Sequence, residues 1–266
     1  MNDPSPAGPR MASDAGRSTL VPWRRSPFPA PWPRWFGREV PLHLEIGFGD
    51  GRYTVRRALD APHEDFVGIE ASGVSVRRAL RKVAAAGLPN VRLVKAGAQI
   101  AVRQLFAPGS LRSVTVNFPD PWPKDRHEEN RLLRVPFLGV LADRLLAGGE
   151  VRLATDHPDY LAFSVDQAQR SGWFGVERRE PPPAVFETKY ALKWRDQGKP
   201  LHYVVFVRND RPAPASTLSG SRVRKNGIVS TTSTKYSTGC VRRMCRFTMI
   251  VGRFISDDPW LTRAFI

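Results

Sequence analysis

Cysteine is nearly absent: Cys240 and Cys245 are the only two in 266 residues. Two cannot build a disulfide framework, and no His or Cys stands around them at zinc-ligand spacing, so neither redox chemistry nor a metal is expected. Long apolar runs are missing as well. No stretch approaches the roughly 18 residues of a membrane-spanning helix, and Met1–Arg17 lacks the apolar core of a secretory signal. The expectation is a soluble, cytoplasmic protein with no membrane partner. Acidic residues are scarce too, 25 against 41 Lys plus Arg, which leaves a net charge of +16. Such an excess suits a polyanion, because Lys and Arg on phosphates release condensed counterions. Its placement tempers that reading: residues 211–266 hold ten basic residues against Asp257 and Asp258. A basic tail can bind nucleic acid whatever the rest of the chain does.

Composition divides the chain into three. Residues 1–41 contain nine prolines, and the run Pro27-Phe28-Pro29-Ala30-Pro31-Trp32-Pro33 disfavours both helix and central strand. This reads as an extended arm in which Arg24, Arg25 and Arg34 interleave with Trp23, Trp32 and Trp35, a pattern suited to stacking on single-stranded nucleic acid. An arm docked on the core through its tryptophans fits equally well. Residues 42–210 alternate short apolar runs with amphipathic segments, as strands and crossover helices of a parallel sheet do. Leu42–Ile46, Phe66–Ile69, Val91–Val94, Val114–Phe118, Val151–Ala154 and 202–208 read as strands. Ser72–Ala86 reads as a helix capped by Ser72 and stopped by Gly87, with Val74, Leu80 and Val83 facing inward; Val135–Ala147 reads as another. The fold class expected is a doubly wound, mostly parallel α/β sheet. From 211 to 266 the chain turns Ser/Thr-rich and basic, which reads as a disordered tail in which Phe247–Phe254 could form a short strand.

Three segments carry chemistry. In Leu44-Glu45-Ile46-Gly47-Phe48-Gly49-Asp50-Gly51 a strand runs into a glycine turn that lets a nucleoside ligand approach the backbone. Glu70, nineteen residues past Gly51, ends the next strand, where a carboxylate can bridge ribose hydroxyls. The glycines are not spaced to hold a dinucleotide pyrophosphate, and Glu45 favours a cationic ligand, so S-adenosylmethionine fits better than NAD. A tight strand-to-helix turn without a ligand is the alternative. Next, Pro119-Asp120-Pro121-Trp122-Pro123-Lys124 leaves a strand end with its backbone fixed by three prolines, holding Asp120 beside an aromatic face; the alternative is a plain turn. Lys124, Arg126, His127 and Arg131 follow as a basic loop. Last, Thr155-Asp156-His157 ends another strand, so Asp156 should meet Asp120 and Glu45 at one edge, or cap the following helix.

Together these residues resemble those of the bacterial tRNA (guanine-N7)-methyltransferase family, over about residues 40–208. The likeness rests on 45–51, Gly68-Ile69-Glu70, the Pro-Asp-Pro-Trp-Pro-Lys segment, Thr155-Asp156 and Thr188-Lys189-Tyr190. It implies a Rossmann-like class I methyltransferase fold and S-adenosylmethionine-dependent methylation of guanine N7 at position 46 of the tRNA variable loop. It also implies a cofactor site at Glu45, Gly47, Gly49, Glu70, Gly97 and Asp120, with Asp120 also catalytic. Lys124, Asp156, Thr188, Lys189 and Tyr190 would contact tRNA, and the active form would be a monomer or homodimer. Gly97, Asp125, Glu129 and Ala191 depart from the family pattern. Two rivals stay open: a methyltransferase for another base or a small amine, and an inactive tRNA-binding protein.

Overall fold

A computed structural model describes residues 18–215, together with the backbone of two short paired strands, Arg222–Val223 and Val229–Ser230. The anticipated strand at Phe247–Phe254 lies outside the described residues. Seven strands form one sheet: β1 Leu42–Ile46, β2 Asp65–Glu70, β3 Val91–Lys95, β4 Leu111–Asn117, β5 Leu145–Thr155, β6 Phe174–Glu177 and β7 His202–Arg208. Their order is β3-β2-β1-β4-β5-β7-β6. The first five are parallel, and β7 runs antiparallel to both β5 and β6. Strands β1, β2 and β4 are buried along nearly their whole length, because helices cover both faces of the sheet. This is the doubly wound, Rossmann-like class expected from the sequence. Strand order reverses between β1 and β4, and ligands of open α/β sheets bind beyond the strand ends at that place.

Among the described residues the α-helices are α1 Trp32–Phe36, α2 Arg52–Asp60, α3 Gly73–Ala85, α4 Ala98–Leu105, α5 Val135–Arg144, α6 Pro158–Ser171, α7 Pro183–Phe186 and α8 Lys189–Asp196. Ser72 caps α3 as expected, its side chain accepting from the Ser75 amide. The inner face of α3 is Val76, Ala79 and Val83 instead of the expected Val74, which is exposed. The missing side chain of Gly51 is what lets α3 approach this turn: a Cβ there would lie 2.7 Å from the Ala79 Cβ. Helix α5 stops at Arg144, three residues short of the expected end. Leu145 pairs instead with Leu111 of β4, and the extra residues around Gly148 and Gly149 are absorbed in a register shift before Glu150 meets Ser113.

The N-terminal segment is docked, not extended. Val21 donates to the Leu93 carbonyl and Leu93 to the Thr19 carbonyl, so residues 19–21 cover the free edge of β3. Trp23, Trp32 and Trp35 are buried. Trp23 Nε1 donates to the Lys95 carbonyl and Trp32 Nε1 to the Leu105 carbonyl, each at 2.9 Å. Trp32 also packs against Trp35 and Phe106 with ring centres 5.1 and 5.2 Å apart. These rings are therefore closed to base stacking. Contrary to expectation the proline run does enter a helix, since Pro33 sits in the first turn of α1, where no amide donor is required. Among the described residues, no helix is long and apolar enough to cross a membrane.

Candidate active site

Strand β1 ends at Ile46, and the chain turns through Gly47, Gly49 and Gly51 with φ of 73°, 55° and 81° before α2 begins. These left-handed angles are open to glycine and strained for other residues. A Cβ at Gly47 or Gly49 would meet no protein atom within 4 Å, because both line an open cavity of about 430 Å³. Gly68 serves the same turn from beneath. A Cβ there would sit 2.5 Å from the Phe48 ring, so the missing side chain lets Phe48 fold down onto β2.

Two carboxylates reach the cavity from β1 and β2. Glu70 Oε2 accepts from the Gly49 amide at 3.0 Å and Oε1 from the Ser72 amide at 2.8 Å, so Glu70 ties the glycine turn to the start of α3. Glu45 is buried at the end of β1, accepting from the Thr54 hydroxyl and from Asn117 Nδ2 at 3.1 Å. Burial pushes its carboxyl up to about 7, although both hydrogen bonds act the other way. Asn117 keeps its Oδ1 buried without a hydrogen-bond partner while lining the cavity. A buried acceptor left in that state costs on the order of 1–3 kcal/mol, which a donor on a bound ligand would offset.

The far wall is the segment after β4. Phe118 and Trp122 hold positive φ of 51° and 44°, unusual for non-glycine residues and typical of strained functional loops. Between them Asp120 is exposed and lines the cavity. Arg131, which sequence reasoning placed in a basic loop, is instead buried and points back at this segment. Its Nε donates to the Pro121 carbonyl at 3.1 Å and its Nη2 to the Trp122 carbonyl at 3.3 Å, with its guanidinium 4.6 Å from the Phe163 ring centre. Nothing in spacing alone separates this clamp from its exposed neighbours Arg126 and Lys124.

Thr188, Lys189 and Tyr190 close the cavity on a third side. The Thr188 hydroxyl is already engaged, donating to the Val185 carbonyl at 2.8 Å and accepting from the Ala191 amide at 3.1 Å as the cap of α8. Three expected positions lie outside the lining. Lys124 is exposed on the loop beyond Trp122; Gly97 stands before α4, past the end of β3. Asp156 follows β5 at the same sheet edge as Asp120 without lining the cavity, and the cap position of α6 is His157, not Asp156. Asn117, Thr54 and Tyr53 belong to the site without having been singled out, and Arg131 was placed in the basic loop without its role as a clamp. Asn117 alone had a readable signal, as the residue before the Phe-Pro break.

The arrangement can enclose a partly cationic ligand against glycine backbone and carboxylates, with the exposed Asp120 also in the lining. A family model described as "Putative methyltransferase" matches residues 39–204. A tRNA (guanine-N(7)-)-methyltransferase of Thermus thermophilus is 47% identical over 73% of this chain and 63% of its own length. One of Deinococcus radiodurans is 50% identical over 67% of this chain and 56% of its own. The chain thus spans about 60% of the length of these curated relatives. Among solved structures, the 16S rRNA methyltransferase KamB superposes with a TM-score of 0.52 at 16% identity, covering 68% of this chain and 93% of that one, a likeness of fold alone. The chain belongs to the methyltransferase family that includes the bacterial tRNA (guanine-N(7)-)-methyltransferases.

Proposed function

We propose that this protein transfers a methyl group from S-adenosylmethionine to N7 of guanine in tRNA, at position 46 of the variable loop. The observation that carries the reading is the convergence of the glycine turn, Glu45, Glu70 and Asp120 on one cavity at the sheet's switch point. The residues fit the cofactor. Gly47 and Gly49 offer backbone where any Cβ would intrude, Asn117 Oδ1 awaits a donor, and Glu45 gains from a cation beside it. Glu45, Glu70 and Asp120 are the residues that would hold it.

When bound, S-adenosylmethionine supplies an electrophilic methyl group carried on a sulfonium. Purine N7 has a free in-plane lone pair, so no side chain need remove a proton first. The task of the protein is orientation and charge stabilisation. Asp120, held by its proline-rich segment and the Arg131 clamp, has the catalytic role: one carboxylate of the Asp120 and Asp156 pair accepts from both guanine N1–H and the exocyclic amine, and the pair offsets the positive charge arriving on the purine. Bidentate pairing of that kind discriminates guanine from adenine by about 1–3 kcal/mol. Lys124, Asp156, Lys189 and Tyr190 contact tRNA around the mouth, while Thr188 acts through the α8 cap that sets Lys189 and Tyr190 in place.

The test is incubation with labelled S-adenosylmethionine and unmodified tRNA, followed by nucleoside mass spectrometry and borohydride–aniline cleavage. N7-methylguanine at the variable-loop position is expected. Label on another base, or cofactor binding without transfer, would contradict the reading.

A further inference from the structure

Helix α8 carries an aromatic and cationic face that continues outward from the cavity. Phe118 and Tyr190 have ring centres 6.1 Å apart, and Tyr190 and Trp194, four residues on and therefore on the same helix face, stack at 6.4 Å. Tyr190 is 46% exposed although it lines the cavity. The Lys193 ammonium lies 4.4 Å and the Lys199 ammonium 3.7 Å from the Trp194 ring centre, and Lys189 rests 5.9 Å from that of Tyr190. Among the described residues no carboxylate pairs with these three lysines, whereas the acids nearby are engaged, Glu187 with Arg56 and Asp196 with Arg195. Lysine side chains are ordinarily mobile, and fixing one costs rotamer entropy. Cation–π contact with the Trp194 ring lowers that cost for two of them.

We infer that this face of α8 is a docking track for the tRNA strand adjoining the target guanine, with Tyr190 stacking a base and Trp194 presenting Lys193 and Lys199 to two phosphates. The inference rests on the tRNA reading above and extends it to residues outside the cavity. RNA is favoured over an acidic protein because the track begins at the cavity mouth and offers a half-exposed ring beside its cations, the combination that single-stranded nucleic acid requires. Trp194 is then a positioning residue, whose ring acts through the lysines it holds.

The experiment measures tRNA affinity of the full chain across a salt series, for wild type, Lys193→Ala/Lys199→Ala, Lys193→Arg/Lys199→Arg, Trp194→Ala and Trp194→Phe. Losing two phosphate contacts should flatten the slope of log K against log salt by about 1.4–1.8. The double Arg variant should keep the wild-type slope, Trp194→Ala should weaken binding several-fold, and Trp194→Phe should recover most of it. An unchanged slope in the double Ala variant overturns the track even while wild type still methylates tRNA. A flattened slope in a protein that makes no N7-methylguanine would uphold the track and remove the enzymatic reading. Equal displacement of tRNA by polyglutamate at matched charge would overturn the assignment to RNA.

Discussion

Asn117 donates from Nδ2 to Glu45 Oε1 at 3.1 Å, joining the ends of β4 and β1 across the point where the strand order reverses. The bond uses one N–H of Asn117 and leaves its acceptor for the cavity. It also holds a carboxylate that burial has raised to about 7. One pair of residues therefore supplies both an open acceptor and a tunable negative charge to the wall of the cavity.

That charge should be visible in stability. A carboxyl whose folded value lies above its unfolded one binds more protons when folded, so its favourable contribution is complete at low pH. It is lost as pH rises from about 4.5 to about 7. The loss is roughly 3 kcal/mol at most. His43 acts oppositely: burial lowers it to about 4, so its contribution falls away as pH drops from 6.5 toward that value. The difference between wild type and Glu45→Gln isolates the first effect. Denaturant titrations from pH 5 to 8 should show wild type losing stability relative to the variant as pH rises, and parallel curves would refute the assignment.

Cationic ligand affinity should move the other way. Deprotonated Glu45 attracts a sulfonium or ammonium, so S-adenosylmethionine affinity should rise through pH 7 in wild type and stay flat in Glu45→Gln. Calorimetry at several pH values reads both.

Gly47 and Gly51 should separate binding from stability. Gly51→Ala places a Cβ 2.7 Å from that of Ala79 at a φ of +81°, so thermal unfolding should reveal a loss of about 1–3 kcal/mol. Gly47→Ala meets no atom within 4 Å. It should cost only about 1 kcal/mol of backbone strain while sharply reducing cofactor affinity. Equal losses of stability in the two variants would contradict this division.

Arg131→Ala should release the carbonyls of Pro121 and Trp122 and let Asp120 drift. Misplacement by about 1 Å can cost on the order of 100-fold in rate. The expected result is a large fall in kcat with a small change in KM for S-adenosylmethionine, and Arg131→Lys should recover little, since one ammonium cannot reproduce the fork. A drop confined to thermal stability would make Arg131 a packing residue only.

The β-strand core and glycine turn were legible because burial on both faces favours short runs rich in apolar residues, and because Gly47, Gly49 and Gly51 mark turns that other residues resist. The boundary at Arg144 was not. Leu145-Leu146-Ala147 is apolar in either a helix or a strand, and only pairing with β4 decides between them. Docking of Trp23, Trp32 and Trp35 was one of two open readings, since tryptophan serves core and nucleic acid equally. Arg131 was misread because its carbonyl partners, unlike a carboxylate, leave no trace in sequence.

The most direct measurement is single-turnover formation of N7-methylguanine in tRNA by wild type and Asp120→Ala, with S-adenosylmethionine affinity measured alongside. The account predicts product from wild type and a rate lowered about 100-fold or more in the variant, with a much smaller change in cofactor affinity. Wild-type rates from Asp120→Ala, or no N7-methylguanine from wild type, would contradict it.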